Sequence, residues 1–286
     1  MRGFDCTANE VKRTMEKQEI ITGIRDIRET LGKDEAPGCR EYLSDICFDG
    51  ELYEEDTYVI ASELLGCDEP DPLPKSVREL IEALLFDAFA AGNADALNDL
   101  GAQYYDGSRG FDQDFTKAVN CYKLAAEKGS RQAQENLGYC YYYGRNMPVD
   151  YEKAFHYFAL GAFDGHLISL YKIGDMYQNG YYVEKNPAEA FRIYSHCLNT
   201  MTDDAAPLVA GPLFLRAGNC FLNGNGTEAD PKKALVCLQK AEAFLYDMVA
   251  GGNVMYKKSL QAAIDGQAKA RAQLAEALPK KEWAFN

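Results

Sequence analysis

The sequence predicts an all-α solenoid of antiparallel helix pairs. Three observations predict it. Apolar residues inside the segments recur at helical spacing, as in Ala118, Cys121, Tyr122 and Ala125; no strand signal competes with them there; and one pattern returns four times in a single register. Self-similarity at this period means that each copy is one supersecondary unit, buried against its neighbours.

The register is set by Leu100-Gly101, Leu137-Gly138, Ile173-Gly174 and Ala217-Gly218, which are 37, 36 and 44 residues apart. Three places after each glycine stands an aromatic residue: Tyr104, Tyr141, Tyr177 or Phe221. Six places after stands a second glycine: Gly107, Gly144, Gly180 or Gly224. Then Asp114, Asp150, Asn186 or Asp230 precedes Lys117-Ala118, Lys153-Ala154, Glu189-Ala190 or Lys233-Ala234.

Taken in chain order, the first predicted helix runs from Asn9 to Leu31, with Ile20, Ile24, Ile27 and Leu31 on one stripe. A short helix follows around Tyr42 to Phe48, and another from Thr57 to Leu65, stopped by Gly66. Ser76-Val77-Arg78-Glu79 reads as a capping box that opens a helix to Ala91. Its Ile81, Leu84, Ala88 and Gly92 align with Ala118, Cys121, Ala125 and Gly129, so it is the second helix of a degenerate repeat.

In each full repeat the first helix starts after Gly92, Gly129 or Gly165, with Asn93, Ser130 or His166 in the capping slot. It ends near the second glycine, where a left-handed residue stops a helix at little cost. The second helix opens on Asp or Asn, with proline next in Asn186-Pro187 and Asp230-Pro231 and Glu189 as a capping-box partner of Asn186. A glycine inside a helix costs roughly 1 kcal/mol relative to alanine, so the four aligned ones imply close packing, with Ala118, Ala154, Ala190 and Ala234 facing them. Met255 to Leu278, with Leu260, Ile264, Leu274 and Leu278, reads as a C-terminal capping helix.

This pattern, Leu-Gly, an aromatic three later, Gly, Asp, Lys-Ala and then Ala125-Ala126 and Gly129, resembles the Sel1-like repeat, a relative of the tetratricopeptide repeat. The resemblance covers about residues 93 to 245 and implies a right-handed superhelix. The fourth copy departs from it with Ala217 for leucine and an insertion around NTMTDDAAPLVAGP, and the second with Leu160-Gly161-Ala162 in place of the alanine pair. The expected organisation is an acidic helical extension over 1–55, a degenerate repeat over 56–92, repeats over 93–129, 130–165, 166–208 and 209–250, and a cap and tail over 251–286.

Composition narrows the function classes. With 47% apolar and 26% charged residues the chain is globular, and it has no apolar run long enough to span a bilayer and no secretion signal at its N-terminus. Nine cysteines at scattered spacings, with no Cys-x-x-Cys, argue against a disulfide framework and a thiolate metal site. A cytoplasmic protein with packing thiols is the expectation. Net charge is -14, and residues 1 to 75 carry 9 Lys and Arg against 19 Asp and Glu; such a field disfavours nucleic acid and admits a basic protein segment.

Catalytic and metal patterns do not emerge. His196 and Cys197 point about 100° apart on a helix and cannot act on one another. His166 fills a capping slot, and His156 stands where other copies carry Asn120, Arg192 and Val236. DGELYEED, Asp49 to Asp56, lacks calcium-loop spacing, and Gly224-Asn225-Gly226 has neither the strand nor the lysine of a phosphate loop. No catalytic residue, metal ligand or cofactor is assigned. A cysteine-rich secreted branch of the resembled family binds or hydrolyses β-lactams, but its paired cysteine spacing is missing here.

In tetratricopeptide-like stacks the first helices line a concave groove. The resemblance implies that positions three before and one, four and five after the register glycine face it. The candidate groove residues are Asn98, Tyr105, Glu135, Tyr139, Tyr142, Tyr143, Tyr171, Asp175, Gln178, Asn179 and Asn219. These positions differ between copies while the packing positions do not, as on a binding surface built on a structural repeat. Tyr139, Tyr142, Tyr143 and Tyr171 would form an aromatic patch rimmed by Glu135 and Asp175, suited to a peptide with a basic or aromatic residue. The expected function is a non-enzymatic interaction scaffold or adaptor that binds protein and neither nucleic acid nor membrane. Two alternatives stay open: a hydrolase of the β-lactam-binding type, and a structural protein whose groove is masked by its own N-terminal segment.

Overall fold

The computed structural model describes residues 15–32, 35–54, 56–67, 71–203 and 206–277. The predicted helix start at Asn9, Leu278 and the first three residues of the 68–74 stretch between the third and fourth helices lie outside them. The chain divides after Ala154 into two compact units.

The first unit begins with α1 (Lys17–Thr30), whose Ile20, Ile21, Ile24 and Ile27 are buried, and Leu31 after it completes the predicted stripe. The helix lies against α4 (Lys75–Ala90), where Gly23 approaches the Leu80 side chain. α2 (Pro37–Ile46) starts five residues before the predicted Tyr42 and ends two before Phe48. Cys47–Phe48 forms β1, paired antiparallel with β2 (Glu51–Leu52). The reason is Asp49-Gly50, which takes φ of +50° and +80°: two successive left-handed residues match the twist of a tight hairpin and end helix formation.

α3 (Thr57–Gly66) is capped by Asp56, whose carboxylate accepts the N–H groups of Tyr58 and Val59. It packs on α4. The predicted capping box at Ser76 is corrected: α4 starts a residue earlier, after Pro74, with no side-chain cap. Pro74 stands at the N-cap with an extended ψ of 144°, and its side chain has no acceptor to offer the first turn.

α5 (Asp95–Asp106), α6 (Phe115–Glu127) and α7 (Arg131–Tyr143) continue the unit, with a short 3₁₀ turn at Ser108–Gly110, and α8 (Tyr151–Phe163) carries the chain past Ala154. Asn93 accepts from the Asp95 N–H, and Ser130 from Ala133 while donating to Asp95 Oδ1 at 2.7 Å. His166 makes no side-chain cap.

The second unit holds α9 (Leu167–Asn179), α10 (Pro187–Thr200), α11 (Ala206–Asn223), α12 (Pro231–Ala250) and α13 (Lys257–Ala277). The part of the insertion from Ala206 on becomes extra helix at the start of α11, which has 18 residues where α7 and α9 have 13. A Cβ on Gly211 would stand 2.9 Å from Leu245, and one on Gly218 2.7 Å from Leu238, so two glycines two turns apart bring α11 and α12 together.

α13 packs on α12 through small residues. Ala263, Gly266, Gln267 and Ala270 are buried, and Gly266 meets the far side of Leu238. This corrects the predicted stripe, for Ile264 is exposed and Leu260 and Leu274 are only partly covered. Leu238, already filling the α11 interface, leaves room for a methyl-sized surface and not for a leucine ridge.

Candidate functional site

The repeat unit explains what is scaffold and what is left over. Each first helix ends in a left-handed glycine, with φ of +66° at Gly107 and +67° at Gly144. Each second helix then opens on a residue whose backbone N–H bonds the carbonyl of the register aromatic: Asp114 to Tyr104 at 2.8 Å, Asp150 to Tyr141 at 3.0 Å, Asn186 to Tyr177 at 2.8 Å and Asp230 to Phe221 at 2.9 Å. The side chains of these four cap the helices α6, α8, α10 and α12. Lys117, Lys153 and Lys233 lie over the rings of Tyr104, Tyr141 and Phe221 at 4.8, 5.1 and 5.5 Å. The aromatic is therefore held by its own repeat's lysine.

Two sequence readings change here. The register glycines do make room, but for large side chains: a Cβ on Gly101 would stand 2.7 Å from Tyr122 Cε1, and one on Gly174 2.6 Å from Tyr194 Cε1. At Gly101 the carbonyl of Ala118 also stands 3.3 Å from that Cβ position. Glu189 does not complete a capping box, because its carboxylate is drawn instead to Arg192, 2.5 Å away. The thiols behave as packing groups. Cys140, Cys197 and Cys220 are free and buried, and burial pushes the Cys140 thiol up to about 12 and the other two to about 11. His196 is exposed while Cys197 is buried.

Of the candidate groove residues, those three before the glycine are corrected: Asn98, Glu135 and Tyr171 are only 6%, 3% and 4% exposed. The geometry of the helix accounts for this. At about 100° per residue that position lies only about 60° from the glycine that faces the second helix, whereas the fifth position after it lies about 140° away. Accordingly Tyr143 is 48% exposed, and Asn179 is exposed too. Tyr105, Tyr139, Tyr142, Asp175, Gln178 and Asn219 are intermediate.

Within the first unit the structure gathers an aromatic cluster on α7. Tyr139 and Tyr143, one turn apart, stack at 6.2 Å; Tyr142 meets Tyr143 edge-on at 4.9 Å and Tyr151 at 5.6 Å. Tyr105 on α5 packs edge-on against Phe115 at 5.2 Å. Arg145 joins the two groups: its guanidinium lies 5.0 Å from the Phe115 ring and 5.9 Å from the Tyr143 ring, and its Nε donates to Tyr105 Oη at 3.4 Å. Burial raises the Tyr105 phenol, against the pull of Arg145. Asn98, buried below, accepts from Asn136 Nδ2 and so ties α5 to α7.

In the second unit Tyr171 and Asp175 serve a different purpose. Asp175 takes a bidentate pair from Arg216, with Nε to Oδ1 and Nη2 to Oδ2 both at 2.6 Å, and accepts from Tyr194 Oη at 2.8 Å. Tyr171 lies under the same guanidinium, 4.4 Å from its centre. Asn179 bonds the Asp175 carbonyl, and Asn219 gives its carbonyl to Asn223. The Gln178 side-chain oxygen has no partner among the described residues.

Phe115, Tyr151, Arg145 and Arg216 were not among the sequence candidates. None belongs to the repeating register. A lone cation immediately after the Gly144 turn is the one signal that could have drawn attention to Arg145. Among the described residues no cluster of histidine, cysteine or acids suits a metal, and no helix is long and apolar enough to cross a membrane.

The Sel1 repeat pattern matches residues 94–130, 131–166, 167–195 and 215–243. Protein sel-1 homolog 2 of Homo sapiens is 36% identical over 131 residues, which are 45% of this chain and 19% of that protein. The ERAD-associated E3 ubiquitin-protein ligase component HRD3A of Arabidopsis thaliana is 34% identical over 84 residues, 29% of this chain and 12% of the relative. The matched segments thus span a fifth or less of these relatives. A solved Sel1 repeat protein from Oxalobacter formigenes has a TM-score of 0.55 at 19% identity, covering 93% of this chain and 99% of its own. The protective antigen c5321 of uropathogenic Escherichia coli, with an SLR fold, has a TM-score of 0.52 at 18% identity, covering 88% and 56%. Likeness at such identities speaks to the fold: an all-α repeat solenoid.

Proposed function

The chain carries four Sel1 repeats and belongs with the Sel1-repeat proteins, and on that premise we propose that it is a non-enzymatic scaffold or adaptor that receives a protein segment on the tyrosine face of α7. The observation that carries the reading is the cluster of Tyr139, Tyr142 and Tyr143. These rings lie outside the packing register, contact one another and are partly exposed, as suits the apolar, polar-tipped surface of a docking site. The concave face expected of such a stack is where we place this contact. A relative named as a component of a ubiquitin-ligase complex supports an assembly role in kind. A cytoplasmic setting is proposed on the unpaired, packing use of Cys140, Cys197, Cys220 and Cys237.

An aromatic residue of the partner suits the tyrosines. The basic residue suggested by the acidic rim has less support, since Glu135 is buried and Asp175 is neutralised by Arg216. The masked-groove alternative gains nothing from the described N-terminal residues, which pack on α3 and α4.

The test is site-directed photocrosslinking in the source cell. A benzophenone side chain at position 143 should capture a partner that the same group at the exposed position 236 does not, and capture should fall at least fivefold when Tyr139 and Tyr142 become alanine in a helical, folded variant. Equal capture at both positions, or none, refutes the reading.

A further inference from the structure

Arg145 sits at the junction of α5, α6 and α7 in the first unit, half-buried over the Phe115 and Tyr143 rings. Its long bond to Tyr105 uses Nε. Among the described residues no carboxylate pairs with it, and its two terminal nitrogens donate to nothing. That is unexpected in a chain with 44 acids against 30 Lys and Arg. Three other cations of the repeats find acids: Lys153 reaches Asp150 at 3.0 Å, Arg192 reaches Glu189 at 2.5 Å and Lys233 reaches Asp230 at 3.6 Å, while Lys117, Lys128 and Lys240 each lie over a single ring.

The rings hold the guanidinium by cation–π contact, 5.0 and 5.9 Å from its centre, and the hydrogen bond to Tyr105 uses only Nε. A planar cation fixed in this way, with its Nη donors unspent, is arranged for bidentate contact with an oxyanion. We propose that Arg145 is the recognition residue of the tyrosine face and that it takes the side-chain carboxylate of an Asp or Glu in the partner's docking segment, beside an aromatic residue packed on Tyr139 and Tyr142. The proposal rests on the docking reading above and names the partner's chemistry. One unpaired guanidinium matches one negative charge; a phosphate dianion would meet the field of a chain of net charge -14 with greater repulsion.

The test is an NMR titration of the whole, isotope-labelled protein with three blocked peptides, acetyl-Gly-Tyr-X-Gly-amide, in which X is glutamate, glutamine or lysine. The glutamate peptide should shift the Arg145 Nε–H and the Tyr143 and Phe115 ring signals and bind about fivefold tighter than the glutamine peptide, the part of a charge-assisted pair that survives partial exposure. Arg145→Gln should abolish that preference, and Arg145→Lys, which keeps the charge without the planar fork, should retain part of it. Spectra unchanged away from α5, α6 and α7 certify that both variants fold. Equal binding of the glutamate and glutamine peptides at the tyrosines, tighter binding of the lysine peptide, or a preference that persists in Arg145→Gln overturns the carboxylate assignment and leaves the docking face standing. If no peptide moves the Tyr139, Tyr142 or Tyr143 signals, the docking face itself fails, and the assignment with it.

Discussion

Replacing Arg216 with alanine should destabilise the second unit by about 3 kcal/mol, because breaking a buried pair on one side typically costs about 3–5 kcal/mol and 22% of this side chain remains exposed. The guanidinium joins α11 to α9 through two 2.6 Å contacts to Asp175, bonds the Pro212 carbonyl at 2.9 Å and covers the Tyr171 ring. Its removal leaves a carboxylate with Tyr194 and, 3.8 Å away, Lys172. Replacing both partners, with Asp175→Leu and Arg216→Met, removes the charge that would be stranded and should cost about 1 kcal/mol or less. Urea unfolding followed by far-ultraviolet circular dichroism measures both. The sign of the pH dependence follows from Asp175. Burial pushes its carboxyl up, yet Arg216, then Lys172 and Tyr194, hold it below the usual range. A carboxyl depressed in the folded state stabilises fully above its unfolded value near 4, and this is lost as pH falls through the folded one. The gap between wild type and Arg216→Ala should therefore be flat from about pH 8 to 5 and narrow below about pH 4. A single variant that costs under about 1 kcal/mol, or a double variant no better than the single, refutes the argument.

Three further outcomes are expected. Gly101→Ala puts a methyl 2.7 Å from the Tyr122 ring and should lower stability by about 1–3 kcal/mol in the same unfolding assay. Ser130→Ala removes the cap of α7 and the bond to Asp95, and should cost about 1–2 kcal/mol by thermal melting. The Asp150 and Asp230 carboxyls are held low by the backbone N–H groups of Lys153 and Lys233; helicity should hold down to about pH 4 and fall below it, and Asp150→Asn with Asp230→Asn should flatten that acid decline.

What could be read in the sequence is what repeats. Gly101, Gly138, Gly174 and Gly218 with their aromatics, caps and lysines were legible because four copies of one solution to one packing problem annotate each other. The hairpin at Asp49-Gly50 carries an ordinary two-residue turn signal, whereas the sequence reading runs a helix to Phe48 and weighs the stretch after it only as a calcium loop. The small-residue face of α13 was hidden for a different reason: apolar spacing points to Leu260 and Ile264, but the surface offered by Leu238 decides which stripe can approach, and no pattern within α13 contains that surface.

The site shows the same division more sharply. Variation between copies singled out Tyr139, Tyr142 and Tyr143, and equally Glu135, Tyr171 and Asp175, although only the first three form an open cluster. Variation arises both where a repeat meets a partner and where it meets a non-identical neighbour, and Asp175 varies because Arg216 exists in one copy alone. Charge separates the two cases. A non-repeating acid with a non-repeating cation beside it, as in Asp175 and Arg216, is internal packing between copies; the guanidinium of Arg145, held between two rings with no acid, is the charge we propose a partner's carboxylate answers. By that reasoning the informative residue of the tyrosine face is the one whose charge the fold leaves unanswered.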